Sequence, residues 1–274
     1  MDPVKVLCIG GSDTSGGAGI QADLKAVSFC GCWGLSVITA VTAQNTQGVQ
    51  GVYPVSPEFI GKQLDVVLND IGADAVKTGM LPTEEIVQTV SKKIKKYKLK
   101  KVVVDPVMIA KGGKILMPSK ARAILMKDLL PLAFIITPNI PEAEILSKME
   151  ITSVKDMKIA AVKIHGLGVK NVLIKGGHLP GGRKSDVTDI LYDGNYYEFS
   201  SRRINRRDIH GTGCTYASAL AAGIAKGESI VEAALRAKII MTAAIGNALN
   251  PGKGYSAVNV FGKNIVTKKR HIKN

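Results

Sequence analysis

Short runs of consecutive apolar residues alternate along this chain with stretches of helical spacing, and that alternation limits the fold more than any other feature. "VKVLCI" (4–9), "LSVITAVTA" (35–43), "DAVKTGM" (74–80), "KVVVD" (101–105), "AFIIT" (133–137) and "KNVLIKGG" (170–177) read as strands. Helical periodicity fills the intervals at about 20–30, 57–70 and 83–98, then in "PEAEILSK" and "VKDMKIAAVKIHGLG". A strand that is apolar on both sides needs cover on both faces, so the pattern predicts an α/β fold with a mostly parallel sheet between helices. "VTDILYDGNYYEFSS" predicts a hairpin turning on Asp193-Gly194. Two long helices, roughly 212–226 and 228–249, close the chain. No composition break divides the 274 residues, which read as a single domain (1–274) with a basic tail at about 262–274.

In such folds ligands bind outside the carboxyl ends of the strands. The polar and glycine positions just past those ends are Gly11, Asp13, Gln44, Asn45, Lys77, Asp105, Asn139, Glu142 and Lys175. Two familiar nucleotide devices are excluded. Gly17-Ala18-Gly19-Ile20-Gln21-Ala22 matches a dinucleotide fingerprint, but it begins well past the strand end, and after Asp23 no acidic residue occurs until Glu58. Gly-Lys occurs four times and is never followed by Ser or Thr, so there is no Walker loop. The stretch "DIHGTGCT" (208–215) offers another device. Its glycines let backbone N–H groups converge, and the helix starting there adds its positive end, which suits a transferring phosphoryl group. Taken alone, the motif fits equally a glycine-rich start that packs closely against the sheet.

The 37 Lys and Arg against 22 Asp and Glu give a net charge of +15. Seven of those lysines fall in "SKKIKKYKLKK", which closes a helix opened by Glu84 and Glu85 and so complements its own dipole. Aromatics are 5% of the chain and no nucleic-acid motif accompanies the charge, so nucleic acid is not the expected partner. Of the four cysteines, Cys8 lies in a strand pattern and Cys30-Gly-Cys32 is half a metal site at best. With no signal peptide and no long apolar run, the chain reads as cytoplasmic, without a membrane partner.

Seven stretches occur in order: "GSDTSGGAGIQADLKA", "ITAVTAQNTQGVQ", "AVKTGML", "VVVDPVM", "ITPNIPEAEIL", "VLIKGGH" and "HGTGCT". With them the chain closely resembles, from about residue 4 to 250, the hydroxymethylpyrimidine/phosphomethylpyrimidine kinases of thiamine biosynthesis, in the ribokinase superfamily. The resemblance implies a ribokinase-like α/β fold, commonly a homodimer. It implies ATP and Mg2+ as cofactors, with an aminopyrimidine alcohol and then its monophosphate as acceptors. Carried over by position, it places Gly11, Asp23, Gln44, Met80 and Val107 around the pyrimidine, Asp105 and Glu142 at Mg2+, and Lys175 on nucleotide phosphates. Gly211, Thr212, Gly213 and Cys214 form the implied anion hole, with Gly213 also touching nucleotide. Cys214 stands where many superfamily members carry an Asp base, and a thiol at a helix N-terminus is expected to have a lowered pKa. The segment "GKGYSAVNVFGKN" departs from the family's usual Pro-Val-His ending. The competing readings are a pyridoxal kinase of the same superfamily and, in a different class, a basic non-catalytic binding protein.

Overall fold

Val6, Leu7, Cys8 and Ile9 of strand β1 (Lys5–Ser12) are all fully buried. Successive strand side chains point to opposite faces, so Leu7 and Ile9 enter one hydrophobic cluster while Val6 and Cys8 enter another on the far side. The computed structural model describes residues 2–110, 113–179, 186–204, 206 and 209–262. The expected basic tail, apart from Gly262, and Asp208 of the "DIHGTGCT" stretch lie outside the described residues.

The chain runs from β1 through α1 (Gly19–Phe29), β2 (Trp33–Asn45), β3 (Gly48–Pro54), α2 (Pro57–Asp70), β4 (Ala75–Thr78), α3 (Glu84–Lys96) and β5 (Val102–Val104). It continues through α4 (Ser119–Ile124), β6 (Ile135–Ile136), α5 (Ile140–Ser147), α6 (Val154–His165), β7 (Val172–Ile174), β8 (Asp186–Tyr192) and β9 (Tyr196–Arg202). Last come β10 (Ile209–His210), α7 (Thr212–Ala225), α8 (Ile230–Gly246) and β11 (Ser256–Ala257). The main sheet has nine strands in the order β3-β2-β1-β4-β5-β6-β7-β8-β9. Its interior, β2 to β7, is parallel, and β3, β8 and β9 add antiparallel edges. Helices α2 to α6 pack on one face and α1, α7 and α8 on the other. Each fully buried aliphatic side chain in these two cores contributes about 1.5–3 kcal/mol.

The expected strands and helices form, and the mixed sheet with helices on both faces matches the expected class. Three details differ. Strand β3 was not legible, because "GVQGVYP" is glycine-rich and half-exposed; its pairing with β2 defines it. Residues 115–132 carried no expectation either; α4 there runs into a π-helical turn (Leu125–Leu129) and a 3-10 turn around Pro131, whose ring cannot continue an α-helix. The β8–β9 turn has three residues, not two: Tyr192 pairs with Tyr196. The Asp193 N–H donates to the Asn195 carbonyl (3.2 Å), and the Asn195 N–H to the Asp193 carboxylate (3.0 Å).

The lysine-rich helix behaves as its sequence suggests. The Thr83 hydroxyl accepts the Ile86 N–H (3.3 Å), Glu84 and Glu85 occupy the first turn, and Lys93, Lys95 and Lys96 the last. Lys93, Lys96 and Tyr97 converge on Asp65 of α2. Among the described residues, no helix is long and apolar enough to cross a membrane.

Candidate active site

From β1 the parallel sheet grows in both directions, to β2 on one side and β4 on the other. Open α/β sheets form their ligand crevice at such a reversal. At the carboxyl ends around this point lies a cavity of 340 Å³. Gly11, Asp23, Gln44, Met80, Asp105, Val107, Glu142, Lys175, Gly211, Thr212, Gly213 and Cys214 all line it. The structure thus brings these twelve residues to one place, although they come from positions 11 to 214; of the strand-end candidates, Asn45 is not among the lining residues.

Two helix starts meet there. Gly211 precedes α7 at φ +81°, and a Cβ on it would stand 2.0 Å from the Gly17 carbonyl oxygen. Gly19 opens α1 at φ +56°, and a Cβ there would stand 2.4 Å from the Gly11 oxygen. Only glycine satisfies both the left-handed backbone and the missing space. The resulting close packing brings the first turn of α7, Thr212 to Cys214, to the cavity, a setting that favours anions, while at the start of α1 the Ala18 N–H is bonded to Asp13 Oδ2 (2.7 Å) and the Gly19 N–H to the Cys214 sulfur. Strand β10, paired with β11, carries the chain into Gly211, and His210 stacks edge-on against Tyr255 at 4.7 Å. The divergent segment around Tyr255 therefore braces the start of α7, and the N–H groups of Gly254 and Tyr255 also reach Thr46 (3.1 and 2.7 Å).

The expectation of a lowered Cys214 pKa is corrected. Burial pushes the thiol up to about 12, although the Lys77 charge and the Gly19 N–H pull the other way. A helix N-terminus offers up to about 2 kcal/mol, which offsets only part of the cost of removing a thiolate from water. The raised value favours the thiol over the thiolate at neutral pH, although Cys214 as a whole residue is only half-buried.

Lys175, just past β7, has its ammonium 3.0 Å from Asp105 Oδ1, and Thr137 donates to the same oxygen at 3.3 Å. A Cβ on Gly213 would lie 3.3 Å from Asp105 Oδ2 and 3.5 Å from Lys175 Nζ. The absent side chain thus brings the α7 backbone against both charges. Glu142 closes a capping box on α5: its carboxylate accepts the Asn139 N–H (2.9 Å), and its own N–H donates to Asn139 Oδ1 (3.0 Å). Burial, aided by the nearby Asp105 charge and opposed by Lys175, raises Glu142 to about 7. Among the described residues no three His, Cys, Asp or Glu side chains cluster as a metal site. Two carboxylates completed by phosphate oxygens and water are a fit donor set for a hard cation such as Mg2+.

Asp23 lies beneath the cavity with its carboxylate committed. Oδ1 accepts from Lys77 Nζ (2.8 Å) and Ser218 (2.8 Å), and Oδ2 from Lys77 (2.9 Å). Burial acts to lower Lys77, yet the surrounding acidic groups, Asp23 first, together with the Asp23 hydrogen bond outweigh it and hold the ammonium above its ordinary range. Asp23 therefore lines the cavity as half of an ion pair rather than as a free acceptor. Gln44 is fixed through its backbone by Thr14, whose hydroxyl donates to the Gln44 carbonyl (2.6 Å) and accepts its N–H (3.0 Å). The Gln44 side-chain oxygen lies 3.3 Å from the Thr42 hydroxyl, which donates to the Ser12 carbonyl (2.9 Å), and Gln44 borders the cavity. Met80 Sδ fills the space a Cβ on Gly11 would need (3.1 Å).

A second cavity of 260 Å³ adjoins the first and shares Asn139, Lys175, Thr212 and Gly213 with it. Its walls add Arg203, Arg206 and Lys238, and its floor holds Asp189 and Tyr216. Sequence reasoning missed all of these. Asp189 sits in an alternating strand where a polar residue reads as solvent-facing, and Lys238 in a helix where it reads as surface.

The phosphomethylpyrimidine kinase family model matches residues 13–259. The chain is 46% identical over 262 residues to the hydroxymethylpyrimidine/phosphomethylpyrimidine kinase of Bacillus subtilis, covering 95% of this chain and 96% of that one. It is 50% identical over 255 residues to the thiamine biosynthesis bifunctional protein ThiED of Geobacter sulfurreducens, covering 93% of this chain and, at 51%, about half of that longer protein. Among solved structures, the ADP complex of Bacillus subtilis pyridoxal kinase superposes with a TM-score of 0.87 at 41% identity, over 94% of this chain and 97% of that one.

Proposed function

Because the chain belongs to the phosphomethylpyrimidine kinase family, we propose that it uses ATP and Mg2+ to phosphorylate 4-amino-5-hydroxymethyl-2-methylpyrimidine and then the monophosphate. The observation that carries this reading is the seam between the two cavities. Phosphoryl transfer needs donor and acceptor in line across a charge-stabilising site. Lys175, Thr212 and Gly213 border both spaces. The acceptor occupies the first cavity, with Gln44 on its amino edge and Met80 and Val107 against the ring. The nucleotide occupies the second, among Lys175, Arg203, Arg206 and Lys238.

In this arrangement the α7 backbone N–H groups and Lys175 stabilise charge on the transferring group. Asp105 and Glu142 would hold Mg2+, whose chemistry there is neutralisation of phosphate oxygens. A bound cation favours ionised Glu142, which is otherwise raised to about 7 by burial. Cys214 acts as a protonated thiol that holds the acceptor oxygen in place, since a loose transition state releases the hydroxyl proton late. A homodimer in the cytoplasm, without nucleic acid, belongs to the same reading.

The test is product analysis from hydroxymethylpyrimidine and Mg-ATP, with pyridoxal as a parallel acceptor. Monophosphate followed by diphosphate supports the proposal, and no phosphorylated pyrimidine overturns it. The likeness to a pyridoxal kinase favours one second reading, phosphorylation of pyridoxal. A higher kcat/KM for pyridoxal than for the pyrimidine would make that the main activity.

A further inference from the structure

Asp189 of β8 is 2% exposed, yet three elements of the fold donate to its carboxylate. Oδ1 accepts the Gly176 N–H (2.9 Å); Oδ2 accepts Lys238 Nζ of α8 (2.9 Å) and the Tyr216 hydroxyl of α7 (3.1 Å). Gly176 directly follows Lys175, and Tyr216 is two residues past Cys214. One buried carboxylate therefore joins the turn that carries the phosphate-binding lysine to the helix whose N-terminus forms the anion hole.

Independent features show that this turn is built to be held. A Cβ on Gly176 would stand 1.9 Å from the Thr188 carbonyl oxygen, so the turn lies directly on β8. The Lys175 N–H donates to the Pro138 carbonyl (2.9 Å), and Arg203 donates to the carbonyls of Gly177 (3.0 Å) and Leu179 (3.4 Å). Burying a carboxylate is costly unless its lone pairs are filled. A hydrophobic residue would serve packing alone at lower cost, whereas a charged acceptor reaches a backbone N–H, a phenol and an ammonium at once.

We infer that Asp189 is a positioning residue for phosphoryl transfer, setting the placement of Lys175 relative to the α7 anion hole. The inference rests on the kinase reading above. It predicts an effect on kcat at saturating ATP and pyrimidine rather than on pyrimidine affinity, because Asp189 borders only the second cavity.

The experiment measures Tm, kcat and both KM values for wild type, Asp189→Asn, Tyr216→Phe and the charge-neutral pair Asp189→Leu/Lys238→Met. The pair replaces an ion pair by apolar groups of similar size, a change that commonly preserves folding. The expected result is a kcat loss of about a hundredfold in Asp189→Asn and in the folded pair. Tyr216→Phe, which removes one of the three bonds, loses less, and the pyrimidine KM stays within twofold throughout. A folded pair or Tyr216→Phe that lowers Tm while both keep wild-type kcat overturns the inference, and so does a pyrimidine KM that rises in step with lost turnover. A wild type that does not phosphorylate the pyrimidine overturns the kinase reading, and this inference with it.

Discussion

Replacing Gly211 by alanine tests the proposed anion-binding role of the α7 start most directly. The residue holds φ at +81°, where an alanine costs about 1–2 kcal/mol relative to its preferred conformations. For a chain of this size that lowers Tm by about 2–8 °C. The steric term has the larger consequence. The added Cβ would stand 2.0 Å from the Gly17 oxygen, and real Cβ contacts stop near 3.0 Å. The neighbour is backbone, so rotamer changes give no relief, and the Gly17 loop and the α7 start must separate by about 1 Å. A shift of that size at reacting groups costs about a hundredfold in rate. Initial rates at saturating ATP and pyrimidine, paired with a thermal melt, measure both terms. Gly211→Asn separates them, since asparagine tolerates the left-handed backbone but carries the same Cβ. Both variants should lose about a hundredfold in kcat. A folded Gly211→Ala with kcat within threefold of wild type, or full rescue by asparagine, would refute the steric argument.

Two further outcomes follow from the buried charges. Alkylation of Cys214 by iodoacetamide, compared with Cys214→Ser to isolate the site, should be slow at pH 7 and keep rising beyond pH 10, because burial raises the thiol to about 12; a plateau near pH 8 would contradict this. Lys77→Met should destabilise the protein by about 3–5 kcal/mol in urea unfolding, since it leaves the Asp23 carboxylate buried without its cation. Lys77→Met/Asp23→Leu should recover most of that loss, and a single variant as stable as wild type would show that the pair does not hold this face together.

Most of the site's membership was legible before any coordinates. Gly11, Gln44, Asp105, Glu142 and Lys175 follow apolar strands, and in a parallel sheet strand ends converge on one crevice. The conclusion that these side chains meet needed only the strand pattern. The state of each side chain was not legible in the same way. Asp23 lines the cavity as expected, but its bonds to Lys77 and Ser218, residues 54 and 195 positions away, could not be read from the sequence. Glu142 serves as a helix cap as well as a cavity carboxylate.

The order of the parallel strands and of the long helices, the covered parallel sheet and the glycine-built start of α7 were all determined by sequence, because each depends on local periodicity or on a single residue's backbone freedom; β3 and α4 were not. The protonation of Cys214 belongs to the tertiary structure. A helix N-terminus is a local property and favours a thiolate, but burial depends on everything folded around the sulfur, and here burial prevails. The junction at Asp189 has the same origin. Its donors come from three elements far apart in sequence, and only folding brings them to one carboxylate.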